Sequence, residues 1–143
     1  MADGGIDIVV TSPTGHFGLV VGVKLRGDLD AATSRLGEYM RRVGTNAGLV
    51  VGRDVLRILA DTYRGDPSIK VVGEFPTSLA RGLRASAAGV DFEDSVQRWL
   101  ESLQNGEDVA AEPLRSALAA YILPALAEGT VRAAGPRAQA AAG

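Results

Sequence analysis

Cysteine is absent and histidine occurs once, at position 16, so the chain has neither a disulfide framework nor a thiolate or histidine-rich zinc site. Aromatic residues are scarce at 5%. No stretch approaches the roughly 18 consecutive apolar residues of a membrane span. The opening, MADGGIDIVV, lacks the basic n-region of a signal peptide, and the expected address is the cytoplasm, with no membrane partner. Nor is there an excess of positive charge: 15 Lys and Arg against 17 Asp and Glu leave a net charge of −2, which excludes a globally basic nucleic-acid binder. What is present is ordinary for one globular domain, 143 residues with 46% hydrophobic and 22% charged content.

The charge is unevenly placed. From Lys24 to Arg84 there are 11 basic against 7 acidic residues, a net of +4, whereas 85–143 hold 4 against 8, a net of −4. A basic front and an acidic back suit contact with phosphate, although such differences also arise without function.

The most informative stretch is Ile6 to Leu25. A β-branched run, IDIVV, precedes Ser12-Pro13-Thr14-Gly15, where Pro13 supplies a fixed φ and Gly15 suits the last turn position. The run LVVGVKL follows. Because side chains alternate along a strand, Leu19, Val21, Val23 and Leu25 face one way and Val20, Gly22 and Lys24 the other. Both faces are apolar up to Gly22 and Lys24, so the strand is expected inside a sheet covered on both sides. Asp7 and Lys24 are the charged exceptions, and an unpaired buried charge costs several kcal/mol. They either pair across the hairpin, reach solvent at its end, or share a chemical site.

Downstream, Asp28 is an N-cap candidate and Gly44 a C-terminal stop, with Arg41 and Arg42 in the last turn of the intervening helix. Leu29, Ala32, Leu36, Met40 and Val43 form its expected buried stripe. Arg35, Tyr39 and Arg42 fall on one flank, and Glu38 points outward, within reach of Arg35 or Arg42. Short apolar runs at Ala47–Val51, Val55–Ala60 and Ile69–Glu74 read as three more strands, the first two a hairpin. The expected fold is α/β: a mixed central sheet of about five strands with a packed helix, followed by a C-terminal helical extension. Residues 1–76 form the core in this scheme, 77–130 the extension and 131–143 a disordered tail.

In the extension, Thr77 or Ser78 caps a short turn containing Arg81 and Arg84, and Ala85–Gly89 is a small-residue linker. Asp91 is expected to cap a helix carrying Phe92, Val96, Trp99, Leu100 and Leu103. A second helix starts near Pro113 and is interrupted at Pro124. His16 reads as a surface residue and Trp99 as core. The amphipathic helices with Trp99 and Tyr121 also make a homo-oligomer an expectation.

The hairpin resembles the restriction-endonuclease-like, or PD-(D/E)XK, superfamily, whose pattern is D-I-V-V, a turn with Pro and Gly, then L-V-V-E-x-K. The match here reads Asp7, Gly22, Lys24, and covers residues 6 to 76. A further likeness is Tyr39 in Arg35-Leu36-Gly37-Glu38-Tyr39, where one branch carries Gln-x-x-x-Tyr. The resemblance implies a nuclease-like core acting on DNA phosphodiesters by divalent-metal hydrolysis, with Mg²⁺ or Mn²⁺ held by Asp7 and the main-chain carbonyl of Val23. Lys24 would steady the attacking water or the phosphate. Gly22 stands where the family has its acid, so cleavage is expected to be lost or weakened. Glu38, 14 residues beyond Lys24, is the acid on the next helix whose spacing resembles that of members supplying their acid from there, against its outward direction. Arg35, Tyr39 and Arg42 would contact the nucleic-acid backbone. The family core usually opens with a helix before the Asp-bearing strand; here the helices after residue 90, or a second protomer, would take its place. The rival from another class is a non-catalytic interaction or assembly module that keeps the nuclease-like fold.

Overall fold

The computed structural model describes residues 6–83 and 89–134. Turn chemistry places the first hairpin. The Gly15 N–H donates to the Ser12 carbonyl at 2.9 Å, and the Ser12 N–H to the His16 carbonyl at 2.8 Å, which joins β1 (Ile8–Thr11) to β2 (Phe17–Lys24) with Val9 opposite Val20. His16 is exposed.

Helix α1 (Leu29–Val43) begins and ends as its sequence dictates. The Asp28 carboxylate accepts the Asp30 N–H at 2.9 Å, and Gly44 closes the helix in the left-handed region, φ 75°. Leu36 and Met40 are buried in the stripe, and Leu29 and Ala32 pack beside them half-buried. Val43, expected in that stripe, is 40% exposed at the last residue of the helix.

The chain then enters β3 (Ala47–Gly52), parallel to β2, and turns back through β4 (Val55–Asp61) and β5 (Ile69–Pro76), both antiparallel to their predecessors. A sixth strand, β6 (Thr130–Ala133), pairs antiparallel with the far side of β1. The order across the sheet is β5-β4-β3-β2-β1-β6. The architecture is thus mixed α/β, with one strand more than expected. Residues 131–133, assigned from sequence to a disordered tail, belong to that strand. Val131 is buried in the main core, and Gly129 lets the turn before it press against Val10, whose side chain a Cβ at 129 would strike. The Gln104 amide holds the same turn, donating to the Leu126 and Gly129 carbonyls.

After a single 3₁₀ turn at Thr77–Leu79, α2 (Gly89–Gln104), α3 (Leu114–Tyr121) and the short α4 (Leu123–Leu126) cover the sheet face opposite α1. Thr77 does not cap that turn; its hydroxyl donates to the Gly52 carbonyl instead. Asp91 is not the N-cap of α2 either, since the helix already starts at Gly89 and Asp91 lies in its first turn. Arg84 and most of the expected 85–89 linker lie outside the described residues.

Alternation of side chains divides the core in two. Ile8, Val10, Leu19, Val21, Leu49, Leu56 and Ile58 meet α2–α4, whereas Val9, Val20, Val50 and Leu59 meet α1. The helices after residue 90 therefore supply the second covering layer, as one of the two expectations had it. Trp99, 2% exposed, points into that layer and donates to the Val109 carbonyl at 2.8 Å, so it presents nothing to a second copy. Among the described residues, no helix is long and apolar enough to cross a membrane.

Candidate functional site

The two strand faces converge on one end of the sheet. β2 and β3 are parallel and finish there, β1 and β4 begin there, and α1 starts there. Asp7 lies just ahead of β1, so the hairpin brings it beside the end of β2 that carries Gly22, Val23 and Lys24. Its backbone is tied on both sides: the Asp7 N–H donates to the Val21 carbonyl at 2.9 Å, and the Asp7 carbonyl accepts the Ala134 N–H at 2.8 Å.

Its side chain reaches the motif itself. Asp7 Oδ2 accepts the main-chain N–H of Val23 at 2.7 Å, a charge-assisted hydrogen bond in a partly buried setting. Lys24 does not share in it. Its ammonium turns toward the tight bend after β2, where a Cβ on Gly27 would lie 3.6 Å from Lys24 Nζ, and among the described residues Lys24 makes no ion pair. The two charges thus stand at one end of one hairpin without pairing across it.

Glu38 is separated from this group. It lines a cleft on the opposite flank of α1 with Leu59 of β4 and Ile69 of β5, whereas Asp7 lies just ahead of β1, which is three strands and roughly 14 Å of sheet from β4. Nor does it pair with Arg35 or Arg42; among the described residues it has no ion pair. The other flank of α1 carries the three residues assigned to nucleic-acid contact. Tyr39 packs half-buried against the smaller core, the Arg42 guanidinium lies 5.4 Å from its ring centroid, and Arg35 is exposed one turn earlier.

One charged residue on the same face was not anticipated as part of a site. Gly22 pairs with Val50, Val50 with Arg57 and Arg57 with Glu74, so Arg57 lies in the same cross-strand row as the motif position, about 10 Å along. Its guanidinium contacts Asp30 Oδ1 at 2.7 Å, Thr33 Oγ1 at 3.1 Å and Glu74 Oε2 at 3.6 Å, tying the start of α1 to the sheet. The hydrogen bond to Asp30 is the main reason the Arg57 pKa is raised, against the burial that opposes it. The signal was available: Arg57 is the lone charge inside VLRILA, at a position alternation turns toward the helix.

A divalent cation takes about six oxygen ligands. The motif offers one carboxylate, one of whose oxygens holds a main-chain N–H, together with the Val23 carbonyl, and no side chain at Gly22. Among the described residues there is no group of three or more His, Cys, Asp or Glu placed to hold a metal. The described residues thus supply at most two oxygen ligands at this place, and water or substrate would have to supply the rest. No family model, curated protein or solved structure matches this chain.

Proposed function

We propose that this protein is a nuclease-like α/β domain in which the phosphodiester-cleaving centre is silent and whose remaining activity is contact with DNA beside the hairpin. The observation that carries the proposal is the 2.7 Å bond from Val23 N–H to the Asp7 carboxylate, the side chain with which the hairpin motif would present a metal ligand. The carboxylate serves there as a strand clasp. An acid at position 22 is missing, and Glu38 is on the wrong flank to replace it.

The surroundings are suited to an anionic backbone. Lys24, Arg35 and Arg42 lack ion pairs among the described residues, as do Arg41, Arg64 and Lys70 on the cleft side, whereas Arg57, Arg81, Arg98 and Arg115 are all paired. A cation already committed to a carboxylate gains little from a phosphate; Lys24, Arg35 and Arg42 are uncommitted, and phosphate contacts give affinity without sequence readout. The Arg42 guanidinium lies over the Tyr39 ring, a cation–π contact that leaves its charge unneutralised.

The test is retention of a duplex oligonucleotide at low and moderate salt, paired with a plasmid-nicking assay in Mg²⁺. The expected result is salt-sensitive retention, weakened by Arg35→Ala and Arg42→Ala together, with no nicking. Retention that ignores both changes would remove the DNA half of the proposal, and nicking by the unaltered chain would remove the other half.

A further inference from the structure

The cleft between α1 and β5 takes no part in the hairpin chemistry. Its volume is about 360 Å³, within the range of ligand sites. Leu59, Ile69 and Val71 form an apolar floor, and Val71 is 44% exposed.

Gly37 sits over that floor in the middle of α1. A Cβ there would meet only Ile69 Cγ2 and Leu59 Cδ2, each at 3.9 Å, an ordinary contact. Packing therefore does not demand glycine, which is unfavourable inside a helix relative to alanine. What the missing side chain does is keep the cleft open.

One wall of the cleft is a sheet edge. β5 is the outermost strand, bonded to β4 alone, and among the described residues no backbone hydrogen bond reaches its other side. The register shift opposite Ile58 and Leu59, together with Pro76, confines the regular free ladder to the start of the strand. That length suits a short peptide and disfavours fusion of whole sheets from two copies.

Charge distinguishes the two ends. At the far end Asp30 and Glu74 are engaged by Arg57. At the turn between β4 and β5 stand Arg41, Arg64 and Lys70, none in an ion pair among the described residues, against Asp66, with Glu38 one turn back along α1. The Lys70 ammonium lies at the turn itself, 3.3 Å from where a Cβ on Gly65 would be. β5 runs away from this turn, so a strand added antiparallel to it ends at the cationic side.

We propose that the cleft binds the carboxyl-terminal segment of a partner protein as a strand added antiparallel to β5. One apolar side chain enters over Leu59 and Ile69 beneath Gly37, and the terminal carboxylate meets Arg41 and Lys70. This site does not depend on the hairpin's ancestry.

The test selects a random heptapeptide library displayed with free carboxyl termini on the full chain. Enriched sequences are then measured by fluorescence anisotropy as free acids and as amides. Apolar residues near the terminus should be enriched. Binding should fall about tenfold or more in Gly37→Leu, and about fivefold for the amide and for Arg41→Gln. Thermal unfolding of Gly37→Leu should hold or rise, showing that the cleft was filled and the fold kept. The proposal is overturned if nothing is enriched over a Gly37→Leu control, or if binding ignores both the filled cleft and the amide. It is equally overturned if sedimentation shows a dimer that Gly37→Leu abolishes, since a second copy then occupies the cleft.

Discussion

At Asp7, one carboxylate oxygen satisfies a main-chain donor that would otherwise face the hairpin interior without its partner. Asp7→Ala should therefore destabilise the fold by about 1–3 kcal/mol, while Asp7→Asn, which keeps an acceptor, should cost less. Urea unfolding of both variants checks the order. Arg57 serves a different purpose, holding α1 to β4 and β5. Its partners are well exposed, with the Asp30 side chain at 80% and Glu74 at 52%, so Arg57→Gln should cost only about 1 kcal/mol. A double-mutant cycle with Asp30→Asn isolates the pair. Asp7 and Lys24 stood out in the sequence because each interrupts an apolar strand; that they do not pair was invisible, because Lys24 has a long side chain and a bend at Gly27 on which to turn. Arg57 interrupts its strand in the same way and could have been singled out by the same test.

Among the elements, α1 was the most legible, since its cap, its stop and most of its stripe are local and each residue type does one job. Gly44→Ala should cost about 1 kcal/mol by forcing a Cβ into the left-handed region, whereas Gly37→Ala should gain roughly 0.5–1 kcal/mol. Opposite signs for two glycines in or at the end of one helix, read from thermal midpoints, would confirm that their reasons differ. The start of α3 has a pH-sensitive feature. Glu112 Oε1 accepts the Ser116 hydroxyl at 2.7 Å and its N–H at 3.0 Å, and these bonds hold the Glu112 carboxyl below its ordinary pKa. A carboxyl depressed in the folded state stabilises above its unfolded pKa, and that contribution fades as pH falls through the folded value. The difference in melting temperature between the natural chain and Glu112→Gln should accordingly be present at about pH 7 and shrink as pH falls below the ordinary glutamate range. The poorly legible element was β6. Its residues, TVRA, have no pattern of their own; the strand exists because β1 offers a free edge and Gly129 and Gln104 deliver the chain to it.

For the whole molecule, the division of labour follows the two faces of the sheet. The face under α2–α4 buries the larger core, and the face under α1 carries the hairpin end, the stacked Tyr39–Arg42 pair and the cleft beside β5. Layering was legible from strands apolar on both sides; the sixth strand and the intramolecular use of Trp99 were not, because both depend on contacts distant in sequence. The proposed nuclease-like centre at the hairpin is the central claim, and restoring its acid tests it. Gly22→Glu should bind Mn²⁺ in calorimetry and nick plasmid DNA, with both lost when Asp7→Asn is added, while the unaltered chain does neither. A folded Gly22→Glu protein that neither binds the ion nor nicks DNA would contradict the claim.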